Sequence, residues 1–143
     1  MKARFHSSPV LTVTRKVLGH KKVVYLLIAN RPIRYPRGKS QIAYIGTTSK
    51  GLARVASSVA YRAQDILSGY GLSSMEVFIV TCPPQRKVRT WVLLERALIF
   101  QFVQHFWGPP KCNSQGKNFK WTAKLDKLFN KKTIDAILTK FDG

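Results

Sequence analysis

Val23-Val24-Tyr25-Leu26-Leu27-Ile28-Ala29 and, twelve residues further on, Gln41-Ile42-Ala43-Tyr44-Ile45-Gly46 decide the fold. Both runs are of strand length and rich in β-branched and aromatic residues, and charge closes the first on both sides. Residues 22–29 read as a buried strand and residues 41–46 as a second strand ending at a glycine. Between them lies Asn30-Arg31-Pro32-Ile33-Arg34-Tyr35-Pro36-Arg37-Gly38-Lys39-Ser40, whose two prolines and one glycine predict a loop. Two strands joined in this way make a hairpin with a long, basic tip.

Outward from the hairpin the period changes. From Lys50 to Leu67, Leu52, Val55, Val59, Ala63 and Ile66 recur at three and four, the spacing of one helical face. Thr48 or Ser49 is the expected cap at its start, and Gly69 or Gly71 its stop. The other side carries Arg54, Ser58, Tyr61, Arg62 and Asp65. Residues 75–81 predict a third strand, stopped by Pro83-Pro84. Residues 87–106 predict a long, mostly apolar helix that ends at Gly108-Pro109-Pro110. Residues 121–141 carry one or two further helices with outward lysines, and residues 1–20 form a basic lead-in with a short strand at Val10–Val13. The order is β-β-α-β-α followed by helices, a small α/β (α+β) sandwich.

The chain has 143 residues, the size of one domain, and its 45% apolar share excludes a disordered tail. Against 25 Lys+Arg there are 6 Asp+Glu, a net charge of +19, and no acid precedes Asp65. Such a surface repels itself, and a polyanion offsets that cost. Nucleic acid is the expected partner rather than a membrane: no window approaches the 18 apolar residues of a spanning helix. The amino terminus lacks the apolar stretch of a secretory signal. Its acid-free, basic character leaves an organellar transit segment as the alternative to a cytoplasmic, nucleoid-associated protein. Cys82, Cys112 and the scattered His6, His20 and His105 do not make a zinc spacing, and two lone thiols suit a reducing compartment.

Several polar residues do not fit their local pattern. Tyr25 and Tyr44 lie on paired strands, so the hairpin can bring their hydroxyls together. Gly46 lets the chain turn towards the helix and lets backbone approach a ligand. Arg54 stands two turns into that helix, away from its apolar face. Glu95 is the sharpest anomaly, since it sits in Thr90-Trp91-Val92-Leu93-Leu94-Glu95-Arg96-Ala97-Leu98. A carboxylate buried there needs a cation, a metal or a donor network. Asn113 follows Pro109-Pro110 at the helix exit. Each has an ordinary reading as well: strand tyrosines pack cores, an outward arginine is solvated, Glu95 can pair with Arg96 or Arg89, and an asparagine after prolines serves a turn.

Taken in order, Tyr25, Tyr44-Ile45-Gly46, Arg54, Glu95, Pro110 and Asn113 resemble the GIY-YIG nuclease domain over residues 22–119. Residues 1–21 are then a basic extension, and residues 120–143 a helical extension packing on or continuing the same domain. The resemblance implies a three-stranded antiparallel sheet flanked by helices and an endonuclease that hydrolyses DNA phosphodiester bonds with one Mg²⁺ (or Mn²⁺). It assigns Glu95 as the sole protein ligand of that ion, Arg54 as the clamp on the scissile phosphate and Tyr44 as the general base. Tyr25 orients water or phosphate, and Asn113 fixes these groups from behind. The base role requires Arg54 and the metal to depress the phenol. Here Val23-Val24 precede the first tyrosine where the family commonly has glycine and isoleucine, the Arg31–Lys39 loop lengthens the hairpin, and Ser58 stands where a histidine is frequent.

Duplex or branched DNA is the expected partner, bound through Arg31, Arg34, Arg37, Lys39, Arg62, Lys111, Lys117 and Lys120, with the 31–39 loop beside the scissile phosphate. The protein is then a monomer or a homodimer, since one site cuts one strand. The alternatives are the same fold without chemistry and a basic RNA-binding protein of other ancestry.

Overall fold

Strand β1, Val23–Arg34, pairs antiparallel with β2, Lys39–Thr48, on one side and with β3, Met75–Val80, on the other, giving the order β2-β1-β3. In this computed structural model the structure describes residues 1–5, 7–8, 19–114, 116 and 118–143, so the strand expected at Val10–Val13 and the contact expected of Lys117 lie outside the described residues. The α+β class is as expected: an open three-stranded antiparallel sheet with flanking helices. Helix α1 spans Leu52–Gly69, α2 Thr90–Phe106, α3 Ala123–Leu128 and α4 Lys131–Leu138.

Seven successive residues of β1, Val23 to Ala29, are buried, as a central strand covered on both faces must be. Helix α1 packs against β2, and α2 against β2 and β1. Leu26, Leu27, Ile42, Ile45, Leu98 and Phe102 are fully buried between these layers, each worth about 1.5–3 kcal/mol of transfer free energy. The C-terminal helices share this core through Leu125, Ile134 and Leu138. Asp135 of α4 accepts from Gln101 Nε2 at 2.7 Å and lies 3.1 Å from His105 Nε2, both on α2.

The hairpin differs from its expected form. The strands run on through the basic segment, leaving a short turn at Tyr35–Gly38 in place of a long loop. Proline is tolerated because the register breaks there: β1 advances from Ile28 to Ile33 while β2 moves only from Ile42 to Ser40. Pro32 falls in this bulged stretch, where its missing N–H interrupts no ladder bond. Neighbouring groups occupy the gap, with Gln41 Nε2 donating to Ala29 O at 3.1 Å and Asn30 N to Ser74 O at 3.1 Å.

A second irregularity lies beside Tyr44. Leu27 pairs with Tyr44 but Ile28 with Ile42, so Ala43 is an extra residue on β2. Bulges of this kind bend a strand and re-aim the side chains next to them. The expected cap of α1 also differs: Gly51, at φ 79°, occupies the cap position without a side-chain bond, and Thr48 Oγ1 accepts from Lys50 N instead.

Candidate active site

Tyr25 and Leu27 of β1 share a sheet face with Tyr44 and Gly46 of β2, because Tyr25 is paired with Gly46 and Leu27 with Tyr44. The two tyrosine rings lie 5.8 Å apart over this face. Gly46 makes room for them. A Cβ there would stand 2.5 Å from Tyr44 Cε1 and 2.6 Å from Tyr25 Cζ, closer than atoms approach without contact strain. The glycine therefore serves ring packing and not the turn expected of it, since β2 continues to Thr48.

Helix α1 crosses this face and presents Arg54, Ser58 and Arg62 at i, i+4 and i+8, one stripe of a helix. Tyr25 is 4% exposed, and its hydroxyl donates to Ser58 Oγ at 2.9 Å. One turn on, Arg62 lies over the Tyr44 ring, its guanidinium carbon 4.0 Å from the centroid. Its Nη2 donates to the Tyr44 hydroxyl and its Nη1 to Cys112 O, both at a long 3.3 Å, and its Nε is buried without a partner. Arg54, one turn before Ser58, is exposed and does not line the cavity below.

The chain leaving α2 closes the site against the free edge of β2. Cys112 N donates to Ala43 O at 3.0 Å. Asn113 grips the next outward-facing residue twice, its Oδ1 accepting from Ile45 N at 3.0 Å and its Nδ2 donating to Ile45 O at 2.8 Å. A side-chain amide thus completes the edge as another strand would, directly beside Tyr44 and Gly46.

These elements enclose a cavity of about 140 Å³ lined by Tyr44, Arg62, Glu95, Asn113 and Phe119 among others, large enough for several waters. Glu95 and Arg62 both face it, yet the sole ion pair among the described residues is His105–Asp135. The ordinary pairing of Glu95 with Arg96 or Arg89 is absent: the Arg96 guanidinium lies over the Phe119 ring and that of Arg89 over Trp91. Burial pushes the Glu95 carboxyl up from 4.5 to about 7, with the Arg96 charge pulling the other way. Burial, reinforced by Tyr25, pushes the Tyr44 phenol up to about 12, and Arg62 opposes this only in part. The expected depression of Tyr44 is therefore not supplied by the protein, and at neutral pH the phenol keeps its proton.

No group of three or more acids, histidines or cysteines able to hold a metal gathers among the described residues. The cavity suits an ion of another kind. Magnesium commonly binds through one or two carboxylates and keeps waters and phosphate oxygens for the rest. One half-buried carboxylate without a counter-ion, facing a cavity with room for waters, fits that demand.

Of the expected nucleic-acid contacts, Arg62 belongs to the cavity itself. Arg31 is turned to the fold, its Nη2 donating to Tyr70 O and Gly71 O at the carboxyl end of α1, where a cation complements the helix dipole. Arg34, Arg37 and Lys39 are exposed near the turn. That turn is at the opposite end of the hairpin from Tyr25 and Gly46. Lys39 is five residues from Tyr44, about 17 Å along a strand, so these groups are not beside the site as expected. Lys111 and Lys120 are exposed, with Lys111 Nζ 5.3 Å above the Tyr35 ring. Ser58 was legible as a member of the polar side of the helix and as a departure from a family pattern, not as a site residue; its spacing of four from both Arg54 and Arg62 is the signal that places it beside Tyr25.

No protein-family model, curated protein or solved structure matches this chain.

Proposed function

We propose that the protein is a divalent-metal-dependent endonuclease of the GIY-YIG type that hydrolyses DNA phosphodiester bonds at the cavity between α1, α2 and the edge of β2. The observation that carries this reading is a carboxylate and a guanidinium facing one cavity without pairing to each other. A guanidinium and a carboxyl that burial holds partly neutral, left apart in one space, call for a ligand that satisfies both, and a metal-bound phosphate is one.

In this reading Glu95 holds Mg²⁺ or Mn²⁺, which when bound supplies Lewis-acid stabilisation of the leaving oxygen. Arg62 takes the phosphate role expected of Arg54, since its guanidinium can bind phosphate oxygens in a fork and its present bonds are long. Arg54 stands on the same helix stripe and meets the flanking backbone. Tyr44, protonated in its buried setting, donates a hydrogen bond that orients water or phosphate, and Tyr25 fixes the ring stack through Ser58. Asn113 holds the β2 edge that carries Tyr44. The exposed Arg34, Arg37, Lys39, Lys111 and Lys120, with Lys117, extend the basic surface to duplex or branched DNA.

No helix among the described residues is long and apolar enough to cross a membrane. A cytoplasmic, nucleoid-associated location follows from the DNA reading. A monomer would nick, and a homodimer would cut both strands. The same fold acting only as a DNA- or RNA-binding module is the second reading, favoured by the raised Tyr44 phenol and by Arg54 standing outside the cavity.

Incubation with supercoiled plasmid and with duplex, branched and single-stranded DNA tests the proposal. Nicked products that require Mg²⁺ and vanish with EDTA are expected. Binding without cleavage would assign the binding module. If about six phosphates are neutralised, log K falls with log salt at a slope of about −5, and a flat salt response would remove the polyanion partner altogether.

A further inference from the structure

Trp107 ends α2 in an unusual way. Its φ of 60° is left-handed, a conformation that bulky residues rarely hold and that glycine adopts without steric cost at helix ends. The ring is also 65% exposed, although tryptophan is among the better-buried residue types. Helix termination thus explains the conformation but not the side chain.

The surroundings point to a ligand for that ring. The Arg37 guanidinium lies 5.5 Å from its centroid. Both residues are held by backbone bonds, Trp107 N donating to Val103 O at 2.9 Å and Arg37 N to Phe106 O at 3.1 Å. The exposed Lys39 and Lys111 stand on the same hairpin end and on the chain leaving α2. That chain, through Pro109 and Pro110 to Cys112 and Asn113, ties Trp107 to the edge of β2. A preformed aromatic surface with a guanidinium over one face, in a basic field, suits a base that stacks on the other face while its phosphate meets the cation.

We infer that Trp107 and Arg37 form a stacking site for an unpaired nucleobase of single-stranded DNA, set apart from the cavity along the edge of β2. Six residues of chain separate Trp107 from Asn113, so the separation is at most about 22 Å. At the stacked rise of about 3.4 Å this is at most about six nucleotides, and fewer in an extended strand. The inference rests on the nucleic-acid part of the proposed function and not on cleavage. It selects substrates with a single-stranded segment, such as a flap or a fork, over plain duplex.

Binding of a labelled oligo-dT and of a plain duplex, measured by anisotropy in EDTA, tests it with wild type, Trp107→Ala and Trp107→Phe. The alanine variant is expected to lose about tenfold on oligo-dT and to stay within about twofold on duplex, while the phenylalanine variant keeps most of the affinity. Oligo-dT should quench part of the intrinsic fluorescence of wild type, and Trp107→Phe should lose that part. An oligo-rU arm asks whether the sugar matters; equal quenching leaves the stacking site in place and widens its ligand to any single strand. Undiminished oligo-dT binding by Trp107→Ala, or an equal loss on duplex, would overturn the stacking site alone. A variant that changes sedimentation instead of binding would overturn it in favour of self-association. Failure of wild type to bind any of these nucleic acids would overturn the proposed function as well.

Discussion

Glu95→Gln keeps the size and hydrogen-bonding capacity of the side chain and removes its charge. In the folded chain the carboxyl is pushed from 4.5 to about 7, burial being the main cause. A raised acid means that the folded state resists ionisation. Its stability is full below the unfolded value, falls as pH rises from about 4.5 to about 7, and is level above that. The gap corresponds to about 3 kcal/mol at about 1.36 kcal/mol per tenfold in acidity. Because the half-buried carboxylate borders a cavity open to solvent, screening reduces this to about 1–2 kcal/mol.

Metal-free Glu95→Gln is therefore expected to melt about 3–7 °C above wild type at pH 8 and level with it at pH 4. Magnesium should raise the wild-type melting temperature in a concentration-dependent way at pH 8, lose this effect well below pH 7, and leave the variant unmoved. Cleavage by the variant should fall by orders of magnitude, with DNA affinity held or increased. Differential scanning calorimetry over pH, with and without Mg²⁺, beside the nicking assay, reads all of this. A variant that melts lower than wild type at pH 8 would show that Glu95 neutralises a buried cation, a loss worth about 3–5 kcal/mol. If that variant still cut DNA, the active-site assignment would be refuted.

Gly46→Ala forces a methyl against both tyrosine rings; overpacking of this kind costs about 1–3 kcal/mol, and an unchanged thermal melt would refute the close approach. Arg62→Ala should slow single-turnover nicking about a hundredfold or more, at about 1.4 kcal/mol per tenfold, while Arg54→Ala stays within about tenfold; the opposite ranking would return the phosphate clamp to Arg54. Asn113→Ala loses both bonds to Ile45, about 2 kcal/mol, and should sharply accelerate hydrogen exchange of the Ile45 amide, so an amide as slow as in wild type would separate Asn113 from the strand edge.

Local periodicity carried the order of the three strands and the helices from Val23 onward, but not the full length of β1 and β2. Seven apolar residues from Val23, the three-four recurrence from Leu52 to Ile66 and the apolar run around Leu94 follow from local periodicity, which the chain carries wherever it folds. Glu95 was legible too, because a carboxylate inside an apolar helix is costly in any arrangement. Long-range geometry decided the rest. Arg54, Ser58 and Arg62 are equivalent on the helix stripe, and only the placement of α1 over β2 selects which turn meets Tyr25 and which meets Tyr44. Pro32 and Pro36 read as loop residues because sequence cannot show that β1 slips its register and spares Pro32 a ladder bond. Gly46 was marked as special, but its reason lies in two rings from different strands. Asn113 and Ile45 are 68 residues apart, and the bond between them exists only once the exit from α2 is laid along the open edge of the sheet. The Tyr44 phenol rises for the same reason: burial is a property of the assembled layers, and no window of sequence contains it.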